Sequence, residues 1–188
     1  MKSLRFWLAV VLLSLTSLVV AQSDAQKSVE PSDAQKSFDK LKALAGTWQG
    51  PITVDPKRED VKSGTLGQIT MRVTSRGHAL VHEMQEAGTP FDATKYDHPV
   101  TMFYLDGDRL TLIHYCDAGN RPRMSGKLSP DGKKVEFDFV DLSGGNEHGH
   151  MYHALFTIID ANHHIEDWTY MMPGDKPMHA HMDLVKSN

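Results

Sequence analysis

From Gly46 onward the sequence predicts an all-β chain of about ten antiparallel strands in an up-and-down barrel, preceded by one short N-terminal helix. Three observations carry this expectation. Apolar and polar residues alternate in short runs with no second helical stripe of useful length. Several connections hold the residues of tight hairpin turns. A meander of so many strands escapes exposed edges most simply by closing on itself.

The elements follow in order. Lys2 and Arg5 precede an apolar run from Phe6 to Val20, which ends at the small-residue site Val19-Val20-Ala21. This is the pattern of a secretory signal peptide cut after Ala21. An uncleaved anchor is the competing reading, but the run falls short of the roughly 20 residues a spanning helix needs. Residues 22–32 are polar and read as a flexible linker, leaving residues 33–188 as one barrel domain. Ser32 and Gln35 form a capping box after Pro31, and Phe38, Leu41, Leu44 and Ala45 fall at helical spacing. The strands are expected at Thr47–Val54, Thr65–Thr74, His78–Glu86, Val100–Leu105, Arg109–Cys116, Arg123–Leu128, Lys134–Asp141, His150–Ile159, His164–Met172 and Met178–Lys186. Asp106-Gly107, Ser129-Pro130-Asp131-Gly132 and Asp160-Ala161-Asn162-His163 mark hairpin turns between them.

Composition narrows the function classes. The chain has 20 Lys and Arg against 24 Asp and Glu, a formal charge of −4; losing Lys2 and Arg5 on cleavage leaves 18 against 24, or −6. A basic nucleic-acid footprint is therefore absent. After cleavage no membrane partner is expected, and the expected address is periplasmic or secreted. Cys116 is the single cysteine, so no intramolecular disulfide supports the fold and the core must carry it.

Gly46-Thr47-Trp48, set between the only helix and the first strand, resembles the opening of the lipocalin and calycin superfamily. The resemblance implies a barrel whose tryptophan packs across the closed base of a ligand cavity. Gly46-Thr47-Trp48-Gln49-Gly50 also resembles the start of nitrobindin-type haem barrels, and His179-Ala180-His181-Met182-Asp183-Leu184 is loosely similar to their last strand, which carries the haem-ligating histidine. The middle of the chain departs from that pattern. Residues 98–124, with Tyr104-Leu105-Asp106-Gly107-Asp108, His114-Tyr115-Cys116 and Asn120-Arg121-Pro122-Arg123, resemble uncharacterised exported bacterial proteins with a calycin-like barrel. That resemblance implies a fold and an address but no activity.

Eleven histidines are many for such a chain, and strand alternation sorts them by face. With Ala161-Asn162 as a two-residue turn, His153 is expected opposite Tyr170, Leu155 opposite Trp168 and Thr157 opposite Glu166. One face then carries Met151, His153, Leu155, Glu166, Trp168 and Tyr170, the mixture of aromatic groups and polar handles that lines ligand pockets. His82 and His114 are candidates to join it from other strands, with Arg123 at the mouth as a partner for a carboxylate or as a solvated charge. The alternative is a satisfied buried hydrogen-bond set with no ligand. An enzyme in the same cavity would use His114 or His153 as acid–base group with Glu166 as partner. Covalent catalysis by Cys116 with His114 is disfavoured, because residues two apart on a strand run side by side.

His148-x-His150 and His179-x-His181 each project two imidazoles from one strand face, as zinc sites require. Alternation against Met178, Ala180, Met182 and Leu184 turns His179 and His181 outward, which favours solvated histidines over zinc. Haem is an alternative only if His179 points inward. The favoured partner is thus a small, mostly apolar molecule held in the barrel.

Overall fold

The computed structural model describes residues 30–187 apart from 60 and 63. The leader, its cleavage site after Ala21 and the polar segment up to residue 29 lie outside the described residues. The elements are α1 (Asp33–Lys42), β1 (Gly46–Asp55), β2 (Leu66–Thr74), β3 (Ala79–Glu86), β4 (Val100–Asp106), β5 (Arg109–Tyr115), β6 (Arg121–Leu128), β7 (Lys134–Ser143), β8 (His150–Asp160), β9 (His163–Met172) and β10 (Lys176–Lys186). Every consecutive pair of strands is antiparallel, and β1 also pairs with β10, so the sheet closes as a ten-stranded barrel. The expected fold class is the observed one.

The helix starts where capping predicts. Gln35 N donates to Ser32 Oγ at 3.1 Å, while the Gln35 side chain donates forward to Asp39 Oδ1 at 2.9 Å instead of returning to the cap. Asp33 in the first turn and Lys40 and Lys42 in the last oppose the helix dipole. Its apolar face, with Phe38 and Leu41 buried, packs against β4, β5 and β6, and Leu44 follows it into the core. Trp48 is fully buried beside it, and its indole N–H donates to the Leu44 carbonyl at 2.8 Å. That bond fixes the helix across one end of the barrel, the place the Gly-x-Trp element predicts.

Strand reversal gathers the connections at two ends. At the helix end they are short: the 3-10 turn Ser75–Gly77, the Gly107-Asp108 and Ala161-Asn162 turns, and the Ser129–Lys133 loop. Ser75 and Arg76 both adopt left-handed backbone (φ 51° and 54°) in the first of these, and His78 closes the turn in helical backbone (φ −86°, ψ −10°), so β3 begins at Ala79 and not at His78. At the other end the connections include residues 56–65 and 87–99, together with 116–120, 144–149 and 173–175. One glycine decides the seam: a side chain on Gly50 would run into the Asp183 carbonyl of β10, so glycine lets β1 and β10 approach at that rung.

The core fills the helix end and the middle of the barrel. Phe38, Leu41, Leu44 and Trp48 form its base, and Leu80, Phe103, Leu110, Leu112, Phe137 and Phe156 stack above them. Phe103, Phe137 and Phe156 meet one another with ring centroids 5.3–6.1 Å apart in tilted and edge-to-face contacts.

Candidate functional site

The β8–β9 hairpin corrects the expected pairing. Asp160 does face His163 across the predicted turn, but the register shifts between Ile158 and Asp160 and again between Met151 and His153. The first bulge leaves Ile159 half exposed, and it inverts every side chain of β8 up to the second. His153 therefore pairs with Thr169, Ala154 with Trp168 and Phe156 with Glu166. The inward residues are Ala154, Phe156 and Ile158, while His153 lies on the outer face, where its Nε2 meets Glu136 Oε1 at 3.2 Å. Beyond the second bulge the original phase returns, and Met151 pairs with Tyr170.

On β9 the expected face is the inward one. His164, Glu166, Trp168, Tyr170 and Met172 form a row from the helix end toward the other end, and exposure rises along it. Glu166 is wholly buried at mid-barrel, and three N–H groups converge on its carboxylate. His82 Nε2 lies 3.0 Å from Oε2, His164 Nε2 3.0 Å from Oε1, and Trp168 Nε1 2.9 Å from Oε2. Burial pushes the Glu166 carboxyl up, but the charge and hydrogen bonds of His82 and His164 together more than offset it and hold it below the usual carboxylate range. His82 is itself enclosed by Phe103, Phe156 and Trp168, with centroids 5.7–6.2 Å away. The carboxylate is thereby paired, as a buried charge must be, while His82 Nδ1 and His164 Nδ1 are buried without a partner among the described residues.

Above it lies a cavity of about 650 Å³. Its wall combines Met84, Met151, Met172, Met178, Val54, Val61 and Pro99 with His114, Cys116, Tyr170, His148, Arg58, Asp97 and Asp117. The loops of the open end supply Arg58, Val61, Asp97, Asp117, Ala118 and His148, and the strand ends supply the thioethers. Of the ligand-binding residues the sequence singles out, His114 and Tyr170 line this cavity. His82, Glu166 and Trp168 lie in the packed interior instead, with the Trp168 ring 5.7 Å from His114. Arg123 is on the outside, in a bidentate pair with Asp141.

His114 is 1% exposed, and its Nδ1 lies 2.8 Å from the hydroxyl of its cross-strand partner Thr101. Its Nε2 is buried and has no protein partner. Burial, assisted by the charge of His82, pushes its pKa down to about 3, so the ring is neutral. Tyr170 donates from its hydroxyl to the His148 carbonyl at 2.9 Å, and burial with the nearby acidic groups pushes it up to about 12. Burial also raises the Cys116 thiol, which keeps it protonated and weakly nucleophilic.

His179 and His181 point outward, as alternation on β10 predicts. His179 Nδ1 lies 3.1 Å from Thr169 Oγ1, and His181 Nδ1 lies 2.6 Å from Asp167 Oδ1. Neither reaches the cavity, so the inward His179 that a haem reading needs is not there. Nor does either belong to a group of three ligand residues; among the described residues such a group comprises Glu136, Asp138 and His153 on the outer wall. Lys127 already sits on it, 3.3 Å from Glu136 and 3.1 Å from Asp138.

Sequence reasoning put Met151 on the lining face but passed over Met84, Met172 and Thr101. Alternation from His82 finds Met84, the hairpin register set at the Gly107-Asp108 turn pairs Thr101 with His114, and the β10 pattern already turns Met178 inward.

No protein-family model matches the sequence, and no curated protein matches it. Among solved structures the chain is similar to Rv2717c from M. tuberculosis, with a TM-score of 0.58 and 11% identity over 81% of this chain and 98% of that one. A protein with unknown function from the DUF3598 family, from Nostoc punctiforme PCC 73102, matches with a TM-score of 0.25 and 5% identity over 80% of this chain and 99% of that one. The likeness to Rv2717c is one of fold.

Proposed function

We propose that this chain is an exported, calycin-like binding protein that holds a small, mostly apolar molecule in the open end of its barrel. The observation that carries the proposal is the cavity of about 650 Å³ whose wall is largely apolar and whose buried His114 Nε2 has no partner among the described residues. Its size and its mixture of apolar surface with a few polar groups are those of small-molecule sites. Seven buried side-chain polar atoms lack a partner among the described residues, and of them the His114 nitrogen alone belongs to a residue lining this cavity, where a ligand or water can reach it.

Binding is favoured over catalysis by the placement of the titratable groups. Glu166, the expected acid–base partner, is consumed by His82, His164 and Trp168 and does not line the cavity. His114 is held neutral and Cys116 protonated, so neither is poised for proton transfer or attack near pH 7.

The test is to purify the protein from its own extracytoplasmic fraction, sequence its N-terminus and record native mass spectra. The expected product begins at Gln22 and carries extra mass that denaturation releases. A full-length, membrane-retained product overturns the export reading. Protein that stays free of extra mass, and takes up no apolar probe, overturns the binding reading.

A further inference from the structure

We infer that the cavity takes an aromatic molecule that is not an anion and presents a hydrogen-bond acceptor, such as a ketone oxygen, to Nε2 of His114. The inference rests on the cavity being a binding site.

The acceptor follows from the proton count at Thr101 and His114. Thr101 is 1% exposed, and among the described residues its hydroxyl bonds only to His114 Nδ1. Were Nδ1 the donor, both the hydroxyl proton and the Nε2 lone pair would be buried without a partner. With the hydroxyl donating to Nδ1, the ring proton sits on Nε2 and a single group is left over. That group is an N–H donor belonging to a residue that lines the cavity. Only an acceptor satisfies it.

The absence of negative charge follows from the floor. An anion buried against His114 needs a cation beside it, and this imidazole is neutral. Asp97 and Asp117 line the same cavity, whereas Arg58 is exposed on the rim loop between β1 and β2. An anionic ligand turned toward Arg58 would leave the His114 donor unsatisfied. A neutral oxygen meets the donor and avoids the carboxylates.

The aromatic character follows from the wall. Met84, Met151, Met172 and Met178 reach the cavity from β3, β8, β9 and β10, and Tyr170 stands on the rung shared by Met151 and Met178. Thioethers are polarizable, adapt to irregular shapes and make favourable contacts with ring edges. A saturated ligand would use the apolar area alone.

The test uses prodan, an uncharged naphthyl ketone whose emission shifts on leaving water, with competitors that differ by one feature each. Prodan is expected to bind with a blue shift. Acetylnaphthalene should displace it at about tenfold lower concentration than ethylnaphthalene, the discrimination one hydrogen bond gives. Naphthoate and the saturated acetyldecalin should both trail acetylnaphthalene. In His114→Leu the preference for ketone over hydrocarbon should fall to near one. Thr101→Val keeps the imidazole but releases its tautomer, so it should lower the same ratio and carries the test if His114→Leu does not fold. Equal displacement by acetylnaphthalene and ethylnaphthalene, or an unchanged ratio in a folded variant, overturns the acceptor. Leadership by naphthoate overturns the absence of negative charge, and parity with acetyldecalin overturns the aromatic preference. Each of those results leaves the binding reading standing, whereas failure of prodan and every competitor to bind removes both.

Discussion

The two ends of the barrel are made from the same ten strands and differ in what fills them. At the helix end, turns are short, Trp48 and Leu41 are fully buried, and Trp48 bonds to the Leu44 carbonyl. At the other end, the wall is built from flexible methionines and from loops that include residues 56–65 and 87–99. Burial is complete at one end and partial at the other along a single strand, from His164 to Met172 on β9. A closed barrel thus assigns stability to one end and leaves the other free to vary, the usual relation between a scaffold and the loops that use it.

The largest expected effect tests the stable end. Trp48→Ala empties a large buried aromatic site and removes the bond to the helix, which should cost about 3–5 kcal/mol in urea unfolding. A loss below about 1 kcal/mol would mean that the helix end does not anchor the fold.

Acid titration tests the boundary between the two halves, where the His114 ring lies 5.7 Å from that of Trp168, a partner of Glu166. The folded pKa of His114 is pushed down to about 3 from an ordinary 6.5, so between these values the unfolded chain binds a proton that the folded chain refuses. Stability should therefore fall as pH drops below about 6.5, at no more than about 1.4 kcal/mol per pH unit from this residue. Burial depresses His150 in the same direction. The Glu166 carboxyl is held low in the folded state, so its contribution is present above the ordinary value of 4.5 and is lost as pH falls below it. Unfolding midpoints at pH 7 and pH 5 should differ, and His114→Leu should narrow the gap. A gap unaltered in that variant assigns the acid sensitivity elsewhere.

The smallest effect belongs to the open end. Met178→Leu conserves volume in a half-buried wall, so its stability cost should stay below about 1.5 kcal/mol. The same change should alter probe affinity in the cavity more than it alters the melting temperature. Equal sensitivity of both measurements would show that the open end is packed as tightly as the base.

Most of the fold was legible because turn chemistry and alternation are local signals. Asp106-Gly107 and Ser129-Pro130-Asp131-Gly132 fixed hairpins, Ser32 fixed the helix start, and the β10 pattern turned His179 and His181 outward. The cavity was less legible. Nothing in the residue types of β8 announces an extra residue at Ile159 or Tyr152, since a bulge is decided by how two strands fit and not by the sequence of one. His153 was consequently assigned to the wrong face, and Glu166 and Trp168, on the correct face, were placed one layer too near the opening. The Glu166 carboxylate shows why: it takes three donors from β3 and β9, and only the tertiary structure brings His82 to it.

The paired bulges in β8 have a consequence for how substitutions should be read along that strand. Between Tyr152 and Ile159 the inside–outside rhythm runs one step out of phase with both flanks, so a map of tolerated charges across residues 150–160 should change phase twice. Aligning a homologous strand by alternation alone would place its lining residues on the solvent side for half its length. Deleting Ile159 would remove the first bulge and join the existing pairs, Asp160 with His163 and Ile158 with His164, into a regular ladder, so Ala154 and Phe156 should stay inward and His153 outward.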